Sequence, residues 1–212
     1  MFVRTRAGLS RTPMICNALD LLKDNSKNWL VVGKGPSSAK VKNFTTDAVN
    51  ILTLNHACQL VTPTAALFMD IEAFADCYPT LKEKQIKTIL PWRPHSKMKA
   101  DKQTLEDLLS ISTYADHLPL LYTFNSTTSA LKPDPRYPVI RVRYFCAVAA
   151  INLLVAAGHT EDIYTLGVDG GTQYNPVFAD KDRLANGRSS FDVQFEEFEK
   201  TKKSSGVRIV KL

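Results

Sequence analysis

Seven short apolar runs recur along this chain, at residues 29–32, 50–54, 65–69, 86–90, 120–124, 163–168 and 207–212. They are continuous rather than alternating and too short for core helices, which is the pattern of strands buried on both faces. The stretches 14–22, 103–110, 144–157 and 191–203 between them carry helix-like spacing. The alternation predicts an α/β fold with a mostly parallel sheet covered by helices on both faces. In such sheets ligands sit at the carboxyl ends of the strands, so the residues that close each run are where chemistry is expected. Those are Gly33, Lys34, Gly35, Pro36 and Ser37, then Asn55 and His56, Asp70, residues 91–95, residues 125–128, and Asp169, Gly170 and Gly171.

The first of these breaks is the most abrupt. Trp29-Leu30-Val31-Val32 gives way at once to Gly33-Lys34-Gly35-Pro36-Ser37-Ser38. Backbone N–H groups leaving a buried strand through two glycines, with a lysine between them, form a receptor for phosphate. The same residues also read as a Gly-Pro turn after a strand. They match neither the P-loop nor the three-glycine dinucleotide fingerprint.

With 212 residues, 44% of them hydrophobic, the chain is sized for one core, and a single domain over residues 1–212 is expected, with loop excursions near 91–102 and 125–138. The longest apolar stretch, 145–157, is interrupted by Asn152 and falls short of a bilayer span. No signal-peptide core follows the opening residues, so a cytoplasmic protein without a membrane span is expected. Cys16, Cys58, Cys77 and Cys146 are scattered in apolar contexts, which favours buried thiols over disulfides or a metal site. The net charge of +6 favours an anionic partner. A nucleotide satisfies it as well as nucleic acid does, and no aromatic-interleaved basic stripe points to the latter.

Several side chains could carry chemistry. Asp169 ends an apolar run before two glycines, and could bind ribose, accept a substrate proton or cap a turn. Asp70 could serve at the ligand edge or as a helix N-cap. Arg141 and Arg143 could neutralise a leaving phosphate or lie on the surface of a short strand. Tyr174 could donate its hydroxyl to a phosphate or pack as an aromatic. Phe191, Phe195 and Phe198 share one helical face and read as core.

The order of these elements is similar to that of the bacterial, Campylobacter-type sialyltransferases, and resembles the wider group containing the MptE-like 6-hydroxymethylpterin diphosphokinases. The residues that carry the resemblance are Val32-Gly33-Lys34-Gly35-Pro36-Ser37, Leu54-Asn55, Met69-Asp70, and Ala149-Ala150 through Gly158 to Ile163-Tyr164-Thr165-Leu166-Gly167-Val168-Asp169. The resemblance implies a Rossmann-like GT-A variant that transfers a glycosyl group from a nucleotide-sugar without a metal or other cofactor. It implies nucleotide contacts from Gly33, Gly35, Pro36, Ser37 and Asn55, to which the residue pattern adds Lys34, Asp70, Gly170, Gly171 and Tyr174.

The chain has Val142-Arg143-Tyr144-Phe145 where the sialyltransferases carry Thr-Ser-Gly, and no histidine in the later segment that holds their catalytic one. The candidate bases are then Asp169, His95, His56 and Asp70, because a base must reach the acceptor hydroxyl and titrate near the working pH. Two alternatives stand beside the transferase. One is a diphosphokinase in which Asp70 and Asp169 hold magnesium with ATP; the other is a nucleotide-binding module without catalysis.

Overall fold

All seven apolar runs become strands of one sheet in the computed structural model, which describes residues 2–5, 8–11, 14–24, 26–95, 103–110, 120–127, 129, 131–142, 145–170, 173–178 and 189–212. A hairpin of β1 (Phe2–Thr5) and β2 (Gly8–Arg11) stands apart from that sheet. There follow β3 (Met14–Asn17), α1 (Ala18–Leu22), β4 (Trp29–Val32), β5 (Asn50–Leu54), β6 (Ala65–Leu67), α2 (Ile71–Glu83), β7 (Thr88–Pro91) and α3 (Leu105–Ser110). The chain continues through β8 (Leu120–Ser126), β9 (Val139–Ile140), α4 (Cys146–Ala156), β10 (Ile163–Leu166), α5 (Ser189–Ser204) and β11 (Ile209–Lys211). Single 3-10 segments, Pro36–Asn43 and Asn55–Gln59, follow β4 and β5.

The large sheet has nine strands in the order β11-β10-β4-β5-β6-β7-β8-β3, with β9 beside β8. Its described pairs are all parallel. The fold is therefore α/β and Rossmann-like. On one face Trp29, Val31, Leu52 and Leu67 pack against the alanine-rich α4 and Phe198 of α5. On the other, Ala66, Leu90 and Leu121 pack beneath Phe74 and Leu81 of α2 and Leu105 of α3. Because both faces are covered, β4 and β5 are buried at every residue, which explains runs of apolar side chains where a half-exposed strand would alternate.

The reading of residues 14–22 as one helix is corrected. Met14–Asn17 pairs in parallel with residues 120–123 of β8. Only then does the Asn17 side chain accept the Leu19 N–H at 2.8 Å and begin α1. The sheet edge offers a complete hydrogen-bond ladder, and that outweighs a short stretch of helical spacing. Residues 103–110 shorten to α3, opened by a reciprocal cap in which Thr104 N–H and Oγ reach Asp107 at 2.9 and 2.7 Å. Among the described residues, no helix is long and apolar enough to cross a membrane.

Candidate functional site

The chain leaves β4 toward β5 on one side and leaves β10 toward β11 on the other, so β4 and β10 flank the point where the strand order reverses. A ligand crevice is expected above that point. Instead the two loops close on each other. Gly33 N–H donates to Leu166 O at 2.8 Å, and Gly35 N–H donates to Gly167 O at 2.8 Å. Ser37 donates its N–H to Asp169 Oδ2 at 2.8 Å and its Oγ–H to Asp169 Oδ1 at 2.7 Å, while accepting the Gly167 N–H at 2.7 Å.

This seam corrects the phosphate cradle expected from Gly33, Gly35 and Ser37, because the facing loop already takes their amides. The glycines are required for a different reason. A Cβ on Gly33 would collide with Gly167 O, and one on Gly35 would come within 2.5 Å of Asp169 Oδ2. Gly170, at φ 71°, has Phe195 of α5 3.2 Å from where its Cβ would stand. The close approach that these glycines permit is therefore of loop to loop and loop to helix. Pro36 sets the first turn of the 3-10 segment that follows.

Asp169 is a clamp in this arrangement and not a base. Burial pushes its carboxyl up, but the Ser37 hydroxyl and N–H together with Lys211 outweigh it and hold the group below the usual carboxylate range. Lys211 Nζ lies 3.3 Å from Oδ1. Both oxygens are thus engaged within the protein, in place of the open carboxylate expected to hold magnesium with Asp70. Among the described residues, no group of three or more His, Cys, Asp or Glu side chains converges as metal ligands would. An open cleft of about 490 Å³ lies against the seam, lined by Pro36, Ser37, Lys40, Asp169, Gln173 and Lys211 among others.

The next strand ends present a different chemistry. Asn55, directly after β5, has φ 50°, in the left-handed region that non-glycine residues seldom occupy. Its Nδ2 reaches Cys146 Sγ at 3.4 Å, and its Oδ1 is buried with no hydrogen-bond partner among the described residues. Asn125 at the end of β8 shows the contrast. Its Nδ2 donates to Asp134 O and Tyr137 O at 2.7 and 2.8 Å, and its Oδ1 accepts the Asp134 N–H at 2.9 Å, so the side chain ties down the loop expected after β8.

Cys146 opens α4 at the same edge, and the N-cap residue Phe145 has no side-chain group to offer the first-turn amides. Burial, aided by the Asp70 charge, pushes the Cys146 thiol up to about 12 against the opposing pull of Asn55 and Lys34. It stays protonated at neutral pH and is no nucleophile. Lys34, Asn55, Asp70 and Cys146 therefore meet around the amino end of α4. The Lys34 ammonium lies 4.3 Å from the centre of the Tyr174 ring. Asn175 N–H donates to Lys34 O at 2.7 Å and its Nδ2 to Ser38 Oγ at 3.1 Å, holding the Tyr174 segment over the β4 loop.

The remaining sequence candidates separate. His56 is turned away from the ligand edge's solvent: its ring is buried, with Nε2 2.8 Å from Asp76 Oδ2, where it ties the 3-10 segment to α2. His95 is exposed and bridges Asp70 in parallel, its N–H donating to Met69 O and its O accepting the Ile71 N–H, both at 2.9 Å. Asp70 occupies the N-cap position of α2 without a side-chain cap bond. Arg141 is exposed, and its carbonyl accepts the Asn152 Nδ2–H at 2.7 Å. Arg143 and Gly171 lie outside the described residues.

Three contributors escaped the sequence reading. Cys146 carried a weak signal, its place in the first turn of the alanine-rich helix. Lys211 and Asn175 act across long stretches of chain and carried none. No family model and no curated protein sequence matches the chain.

Proposed function

We propose that this protein is a transferase of the glycosyltransferase kind, using a nucleotide-sugar bound at the carboxyl ends of β4, β5 and β6 against the amino end of α4, without a metal. Asn55 carries the reading. A buried carbonyl oxygen with no donor, held on a strained backbone at a strand end, is costly to the folded chain unless a ligand supplies a hydroxyl or amino hydrogen. Sugar, ribose and base all supply such donors.

Lys34 and the first-turn amides of α4 are suited to the phosphates, since a helix amino end favours negative charge. Tyr174 stands beside Lys34 and is the group expected to hold that ammonium in place. His95 is the base in this scheme, being an exposed imidazole at the same edge beside Asp70.

The test is a thermal-shift panel of nucleotides and nucleotide-sugars, with and without magnesium, on the parent and Asn55→Ala. A ligand at a hundredfold its dissociation constant stabilises by about 2.7 kcal/mol. The expected outcome is a magnesium-independent shift that Asn55→Ala loses while melting within a few degrees of the parent. A shift that requires magnesium, or one that Asn55→Ala keeps in full, overturns the reading.

A further inference from the structure

We propose that Arg93 is the receptor for an acidic group, a carboxylate or phosphate, carried by the acceptor; the acceptor assignment rests on the transferase reading above. Arg93 lies just beyond β7 in a segment laid along the carboxyl edge and pinned on both sides. Trp92 N–H donates to Phe124 O at 2.7 Å, and Trp92 O accepts the Leu105 N–H at 2.8 Å. Two residues past Arg93, His95 is bridged to Asp70. The Trp92 ring packs 5.2 Å from that of Tyr137.

Within this frame two arginines differ sharply. Arg136 stacks over Trp92 at 5.1 Å and is satisfied by Asp134 Oδ2 at 2.7 Å and Glu106 Oε1 at 3.3 Å. Arg93 makes no side-chain hydrogen bond or ion pair with any described residue, and its Nε is buried with no acceptor. The carboxylate that feels its charge is Asp107. The N–H and the hydroxyl of Thr104 both go to Oδ2 of Asp107 in capping α3, and no hydrogen bond or ion pair joins that carboxylate to Arg93.

A guanidinium cannot shed its proton to escape such a setting. Its buried N–H therefore calls for an acceptor, and its planar fork matches the paired oxygens of a carboxylate or phosphate. The position specifies which substrate. Lys34 and α4 answer the donor's phosphates at β4 and β5, whereas Arg93 stands at β7 on the same short segment as His95. An acceptor anchored there by its acid brings a hydroxyl to the side of the site where the base is found.

The probes are inorganic phosphate and citrate, titrated at constant ionic strength against the full chain, its Arg93→Met variant and, as a second variant that keeps the charge but not the Nε, Arg93→Lys. In Arg93→Met the apparent dissociation constant for the stronger probe should rise about tenfold or more, and Tm without the probe should stay level or rise as the unpaired donor is removed. Arg93→Lys should weaken binding severalfold, also without a lower Tm. Preference for citrate or for phosphate assigns the acid as carboxylate or phosphate. Equal anion stabilisation of parent and variants, or a Tm that falls in both variants, overturns the proposal. So does loss of a nucleotide-sugar shift in Arg93→Met, which would move Arg93 to the donor. A parent that responds to the anions through Arg93 but to no nucleotide supports the anion site and sinks the transferase reading alone.

Discussion

The seam between the β4 and β10 loops and the edge formed by the ends of β5 to β7 lie side by side, yet they treat polar groups in opposite ways. At the seam the amides of Gly33, Gly35, Ser37 and Gly167 and both Asp169 oxygens find partners within the protein. Along the edge, Asn55 Oδ1 and Arg93 Nε are buried without one among the described residues. A folded chain seldom leaves buried polar atoms unmatched, so each exception calls for an explanation, and ligand binding is a common one. The lesson is that a conspicuous glycine motif marks where backbones crowd, while the place to look for a ligand is where hydrogen bonding is left incomplete.

The largest effect that would break this contrast belongs to Gly167→Ala. Gly167 sits at φ 68°, and an added Cβ would strike Gly33 O and stand 2.9 Å from Ser38 Cβ. Left-handed strain and overpacking together should cost about 4 kcal/mol, read as a lower urea midpoint. A variant as stable as the parent would show that the seam yields easily and that its loops are free to open for a ligand.

Asp169→Asn should cost less, about 2 kcal/mol at neutral pH, because hydrogen bonds to an ionised acceptor are weakened and one amide hydrogen is set against a Ser37 donor. The pH dependence has a definite sign. The folded carboxyl lies below its ordinary value, so its contribution is complete above the unfolded pKa near ~4 and is lost as pH falls through the folded value. The stability gap between parent and Asp169→Asn should therefore narrow in urea melts taken from pH 6 down to pH 3. A gap that widens on acidification would refute the clamp.

Asn55→Gly tests the edge and should be the smallest effect, of opposite sign. Glycine relieves the φ of 50° and removes the unmatched oxygen. Stability should hold or rise by up to about 1 kcal/mol, while any nucleotide-sugar shift is lost. Destabilisation by several kcal/mol would class Asn55 with Asn125, as a residue that the fold needs for itself.

The sheet was legible because burial on both faces leaves mostly apolar side chains, and the runs at 29–32 and 50–54 coincide with β4 and β5 even though Asn50 and Thr53 are buried among them. Met14–Asn17 was not legible as a strand, because its partner lies more than a hundred residues away in β8. The same distance governed the site. Gly33 to Ser37 announced a turn, but what their amides would meet was decided by residues 166–169. His56 was placed correctly at a strand end, yet the sense in which its ring turned, toward Asp76, belongs to packing. The segment around Arg93 stood out as an excursion between Pro91 and Pro94, whereas the buried Nε, unmatched among the described residues, emerges only in three dimensions.

The strand order also bears on how the molecule assembles. From β4 to β8 each new strand docks beside its predecessor, so that part of the sheet can grow as the chain is made. β10 must instead return to the exposed flank of β4, closing a loop of some 130 residues, as the Ser37 to Gly167 separation shows. Contacts so distant in sequence come late and slow folding. Until β10 is in place, Trp29 to Val32 present an unpaired apolar edge on which a second chain could add a strand. A nascent or refolding population should accordingly aggregate through β4, and should stop doing so once β10 has docked.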